Sequence, residues 1–174
     1  MTTFTLVHVG ISLAAILSGF VVLLGMLTVK RLDGWTKLFL ATTVLTSVTG
    51  FFFPFHGITP ALVLGTISLV VMVVAIYARY SRKLMGGWRR TYVIGAILAL
   101  YLNVFILVVQ SFQKIPALQE IAPTQNDPPF KITQLVVLLA FIALGILAAI
   151  RFRPEPISKL SADNATIAER ASPL

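Results

Sequence analysis

The residues able to do chemistry are few. The chain holds two histidines, His8 and His56, and no cysteine. A cysteine nucleophile, a thiolate zinc site and a disulfide framework are therefore excluded. Imidazole is the side chain most often found on haem iron and transition metals. His8 and His56 are accordingly the candidate ligands for haem or a metal ion, although two ligands alone fill neither kind of metal site. The other functional candidates are amides: Asn103, Gln110 and Gln113, which with Tyr92, Gly95, Ala99 and Ile106 fall on one face of a helix at three- and four-residue spacing. Ser12, four residues after His8, has no oxyanion hole or orienting group to make it a nucleophile. No GxSxG, HExxH, Walker, GxGxxG or paired-carboxylate pattern occurs. These absences lean away from an enzyme.

The elements that would position these side chains follow from composition. Of the 174 residues, 57% are hydrophobic and 11% charged, with a mean hydropathy of +0.93. Soluble domains carry about 25% charged residues, so this surface belongs in lipid. Five apolar segments approach the roughly 20 residues needed to cross about 30 Å of hydrocarbon, over about 4–29, 38–55, 60–80, 91–112 and 132–150. The first lacks the basic leader of a signal peptide and reads as a retained helix. Thr59 and Pro60 form a cap-and-start signal for the third. Strand alternation is missing. The expected fold is all-α, a membrane bundle of five transmembrane helices over 1–151 followed by a flexible tail over 152–174, since backbone polar groups in lipid must be satisfied within each segment.

Charge placement gives an orientation. Lys30, Arg31 and Lys37 lie in the first connection, Arg79, Arg82, Lys83, Arg89 and Arg90 in the third, and Arg151, Arg153, Lys159 and Arg170 after the last segment. The opposite side has only Lys114 and Lys131, balanced by Glu120 and Asp127. The positive-inside rule then places the N-terminus outside and the C-terminus in the cytoplasm, which an odd number of crossings requires. Trp35, Trp88, Tyr77, Tyr80 and Tyr92 form an aromatic belt at the basic boundary. Arg79, Arg82, Lys83, Arg89 and Arg90 are the expected contacts for anionic lipid headgroups. With no folded cytoplasmic module to present them, nucleic acid is not an expected partner.

Small residues mark the packing faces: His8, Ser12, Ala15 and Gly19 in the first helix, and Ala61, Gly65, Ser68, Met72 and Ala75 in the third. Asn103 lies mid-span, where an unpaired amide costs several kcal/mol. A hydrogen bond to a threonine of the second helix is the expected resolution. The connection from Gln113 to Lys131 is long and proline-rich. With Phe51 to Phe55 and His56 it would roof a shallow outward-facing pocket for a ligand.

The stretch Leu38 to Tyr92, with the run Thr42-Thr43-Val44-Leu45-Thr46-Ser47-Val48-Thr49-Gly50-Phe51 and the loop Ser81 to Tyr92, resembles small multi-pass bacterial inner-membrane proteins and is similar to cytochrome b561-like bundles. The second resemblance implies haem held by histidines on several helices; here the last three segments contain none. The expected function is non-enzymatic: an inner-membrane accessory subunit of a larger assembly, or a binder of a lipophilic small molecule at the outer leaflet, without a cofactor. The alternatives are a redox protein binding haem or metal through His8 and His56, and an oligomeric channel or small transporter using Asn103 and Gln110. Expected partners are the bilayer, its anionic headgroups, and another membrane protein or further copies of the chain.

Overall fold

The computed structural model describes residues 3–53 and 60–153; of Pro60 and Ala61 the backbone alone is described. His56, the cap Thr59 and the tail from 154 onward lie outside the described residues. Six α-helices follow one another: α1 Thr3–Leu27, α2 Asp33–Gly50, α3 Pro60–Ile76, α4 Trp88–Lys114, α5 Pro116–Ile121 and α6 Pro128–Arg151. No strand occurs among the described residues. Four helices, namely α1, α3 with the turn that extends it, α4 and α6, are long and apolar enough to cross a membrane.

Helix α2 is the exception, and its hydroxyls explain it. It is 18 residues long and starts at Asp33, earlier than the apolar run that announces it, so Asp33 and Lys37 lie within its first turns. Most of its hydroxyls are bonded inside the protein, Thr46 excepted. Thr42 Oγ1 donates to Leu38 O at 2.7 Å and Thr49 Oγ1 to Leu45 O at 2.7 Å. Ser47 Oγ donates to Ser68 Oγ on α3 at 3.2 Å. A hydroxyl bonded to its own preceding turn presents little unmet polarity to a neighbour, so α2 packs between α1 and α3 despite its composition and reaches α4 through the Asn103–Thr43 hydrogen bond.

Small residues set the closest approaches, as their spacing predicts. A Cβ added at Gly19 would lie 2.5 Å from Leu100 Cδ1 and 2.9 Å from the Phe39 ring, so the side chains of α2 and α4 seat directly on the α1 backbone there. One at Gly95 would lie 3.2 Å from Ala75 Cβ, which locks α4 onto α3. Ala15, Met72, Ala75 and Ala99 are wholly buried. The outward surface is the reverse of a soluble protein's: Leu17, Leu24, Val70, Val73, Ile132, Val136 and Ile150 are all exposed. Such a continuous apolar exterior suits contact with lipid tails.

The end of the bundle where α1 finishes is closed by polar contacts. Helix α3 continues into a π-helical turn, Tyr77–Ser81. Arg79 in that turn is 6% exposed, forms an ion pair with Asp33, and stacks over the buried Tyr92 ring at 5.0 Å. Lys83 and Leu84 follow in the left-handed region, with φ of 50° and 60°, and Leu84 is buried beneath the turn. Arg89 donates to the carbonyls of Ala149, at 3.2 Å, and Phe152, capping the C-terminus of α6.

These contacts bear on three expectations. Arg79 is an interior ion-pair partner and not a headgroup contact, and Arg89 is largely engaged by α6; Arg82, Lys83 and Arg90 stay exposed. Tyr92 leaves the aromatic belt for the core, because Arg79 and Phe152 cover it. Phe152, placed by sequence in the tail, is likewise a core residue.

Replacing Gly19 with Ala forces Leu100 and Phe39 apart and is expected to destabilise the fold by about 1–3 kcal/mol, the usual range for overpacking. Thermal unfolding in detergent reads this. Gly10→Ala is the control, since nothing lies within 4 Å of its added Cβ.

Candidate functional site

At the opposite end of the bundle, where α1 begins and α4 ends, the helices diverge. A chamber of about 560 Å³ opens there between α1, α2, α3 and α4. It spans Thr5 to Ile16 on α1 and Leu102 to Ile115 on and just after α4, with Thr46 to Phe53 at the end of α2 and Leu62 to Ser68 on α3. At 1.5 Å per residue, the α1 wall is roughly 16 Å deep. Its walls are mainly apolar: Leu6, Val9, Leu13 and Ile16 face Leu62, Leu64, Leu102, Ile106 and Leu107. The tight crossing at Gly19 lies one turn beyond Ile16, so the chamber is the wedge left where α1 splays away from α4.

Polar groups on the walls are mostly satisfied by the protein. His8 Nδ1 lies 2.8 Å from Thr49 Oγ1. The Thr49 hydroxyl also lies 2.7 Å from Leu45 O; with its proton on that carbonyl, the imidazole donates from Nδ1 and Nε2 is the unprotonated nitrogen. The ring packs edge-on against Phe53, with centroids 5.0 Å apart. Ser12 Oγ donates to His8 O at 2.8 Å and Ser111 Oγ to Leu107 O at 2.8 Å. Asn103 Nδ2 donates to Thr43 Oγ1 at 3.3 Å, the bond to a threonine of α2 that its mid-span position demands. Thr46 Oγ1 is buried without a partner among the described residues.

Sequence reasoning singled out His8, Asn103 and Gln110, and all three line this chamber. Gln113 does not: it is exposed and off the wall, which at this end of α4 is made by Gln110, Ser111 and Lys114. His56 lies outside the described residues, so its pairing with His8 is a matter of sequence alone. Among the described residues no three His, Asp or Glu side chains gather into a metal site. The expected roof is present in part, as Phe51, Phe53 and Ile115. Residues 116–121 form the short helix α5, which has no buried residue.

One wall residue drew no attention from sequence. Lys114, the last residue of α4, lies on the chamber lining. Its step of four from Gln110 places it on the same helix face, and that signal was available. Tyr101, also mid-span on α4, packs its half-buried ring against Phe105 and Phe141, at 6.0 and 5.7 Å.

No protein-family model, curated protein or solved structure matches the chain. The site therefore rests on its own geometry: a deep apolar chamber, walls whose hydroxyls bond inward, and polar groups left over at Thr46, at His8 Nε2 and near Lys114.

The Asn103–Thr43 bond is open to test. Thr43→Val removes the acceptor and is expected to cost about 0.6–1.7 kcal/mol, the range for hydrogen bonds between membrane helices. Thr43→Ser should restore most of it. Unfolding in mixed micelles reads both, and an equal loss in Asn103→Ala and the double variant assigns the energy to this pair.

Proposed function

We propose that the chain is a bacterial inner-membrane protein with five spans, N-terminus outside, which holds a lipophilic small molecule in the chamber between α1, α2, α3 and α4. It does this without performing chemistry on the ligand, either alone or as an accessory subunit of a larger membrane assembly. The observation that carries the reading is the chamber itself. Its volume, about 560 Å³, lies within the 300–1,000 Å³ of ordinary ligand pockets, and its mainly apolar walls with a few polar groups have their usual character. In the proposed orientation it occupies the outer-leaflet half of the bundle, where lipophilic molecules partition.

The fifth span is α2. At 18 residues it covers roughly 27 Å, close to the hydrocarbon thickness, and the hydroxyls of Thr42, Thr43, Ser47 and Thr49 are bonded internally. Five crossings bring the basic connections and the chain after α6 to one side, as the positive-inside rule asks. Exposed Arg82, Lys83 and Arg90 then face the cytoplasmic headgroups, where anionic lipid attracts them.

Filling the chamber tests the binding. A Cβ at Gly50 would meet only His8 Cε1, at 3.9 Å, so Gly50→Leu projects into open volume. Native mass spectrometry of gently extracted protein should show a lipophilic adduct on the natural chain and its loss in Gly50→Leu. Orientation is read by single cysteines, for which the cysteine-free chain is a clean background. A membrane-impermeant maleimide applied from outside should label Gln125→Cys and leave Gly87→Cys unlabelled.

One observation favours a second reading. The Thr49 acceptor that holds His8 Nδ1–H is the arrangement that commonly orients an imidazole for ligation through Nε2. Under this reading the chamber would hold haem on His8, and purified protein would show a Soret band that His8→Ala abolishes.

A further inference from the structure

We propose that the ligand of the chamber is a single-chain fatty-acyl carboxylate, its hydrocarbon laid along α4 and its carboxylate held at the rim by Lys114. This rests on the chamber reading above and adds to it the class of molecule.

Three observations converge on an acyl chain with a charged end. First, the chamber walls ask little of a ligand at depth. Ser12, Ser111 and Asn103 are bonded to His8 O, Leu107 O and Thr43 Oγ1, and Ser47 is bonded to Ser68. A ligand rich in polar groups would bury them without partners, whereas hydrocarbon has none to lose. Second, the chamber is long. From Lys114 to Asn103 is eleven residues along α4, roughly 16 Å at 1.5 Å per residue. That length with a volume of about 560 Å³ suits one extended chain.

Third, the charge sits at one end. Lys114 closes α4 on the chamber lining and has no ion-pair partner among the described residues. Of the acidic side chains nearby in sequence, Asp127 accepts from the backbone N–H and hydroxyl of Thr124, at 2.7 and 2.9 Å, and Glu120 forms no salt bridge among the described residues. No second Lys or Arg among the described residues lines the chamber. A lone ammonium is a point charge matched to a monoanion, while phosphate groups are typically gripped by the guanidinium fork or by several cations. This selects a carboxylate over a phosphate head. Gln110, one turn below Lys114 on the same wall, offers an amide N–H to the second carboxylate oxygen.

Equilibrium binding tests the assignment. Radiolabelled lauric acid, dodecanol and lysophosphatidate of the same chain length are titrated at pH 8 into the full chain in nonionic detergent. Lauric acid should bind roughly fivefold more tightly than dodecanol, about the limit for an exposed charge pair. That preference should vanish in Lys114→Gln and survive both in Lys114→Arg and in Lys131→Gln, the other cation of this end. Lys114 is exposed, so thermal unfolding of Lys114→Gln should match the natural chain. Equal binding of acid and alcohol, or a preference that survives Lys114→Gln, overturns the proposal, and tighter lysophosphatidate binding overturns the carboxylate assignment. Should acid and alcohol bind equally and both be lost in Gly50→Leu, the chamber reading stands and the charge assignment falls. If no probe responds to Gly50→Leu, the chamber reading itself falls.

Discussion

Polar groups in a hydrocarbon solvent have no water to fall back on, and this fold is arranged around that fact. Backbone donors are met inside helices. Side-chain hydroxyls of α1, α2 and α4 turn back to carbonyls one turn earlier, as at Ser12, Thr42, Thr49 and Ser111. Others pair across helices, Ser47 with Ser68 and Asn103 with Thr43, and Thr46 Oγ1 is left buried without a partner among the described residues. Each of these bonds contributes little net energy, but an unmade one would be expensive. Hydroxyl-rich α2 is thereby accommodated among apolar neighbours, and the outer surface is left to Leu, Val and Ile.

The two ends of the bundle solve this problem in opposite ways. Where α1 finishes, Asp33 compensates the buried Arg79 guanidinium, and Tyr92 and Phe152 pack over it. A buried arginine without its carboxylate would be strongly unfavourable, so the π-helical turn, the start of α2 and the end of α6 are tied into one unit. Where α1 begins, no comparable closure exists among the described residues. The glycine crossing at Gly19 draws α1 against Phe39 and Leu100, and the helices part beyond it. Contact at one point and divergence beyond it is what produces a wedge-shaped chamber.

Much of this organisation can be read from the sequence, and the reason is periodicity. Apolar runs mark α1, α3, α4 and α6, and small residues at three- and four-step spacing mark the faces that meet, Gly19 and Gly95 above all. Asn103 is recognisable as a residue that must find a partner, and a hydroxyl of α2 is the partner it has. What the sequence does not disclose is pairing between distant segments. Arg79 looks like a surface charge because its neighbours in the chain are basic; its carboxylate lies 46 residues away. Phe152 follows the last apolar run and looks like tail until Tyr92 and Arg89 are seen beneath it. The chamber is hidden for a different reason. A void is a property of how four helices diverge, and no single stretch of sequence carries it.

The walls of that void constrain what can be in it. Among the described residues the void is open to the outside, since Leu6, Val9 and Leu13 on its α1 wall are exposed, so it is a groove that solvent or lipid can enter and not a sealed cavity. Water is a poor filler against walls whose hydroxyls are already bonded, because each water needs about three polar partners. Hydrocarbon, by contrast, meets the mainly apolar walls without losing hydrogen bonds of its own. A passing lipid tail needs no charge at the rim, and Lys114, unpaired among the described residues at the end of a mainly apolar space, is the feature on which the proposed ligand class turns.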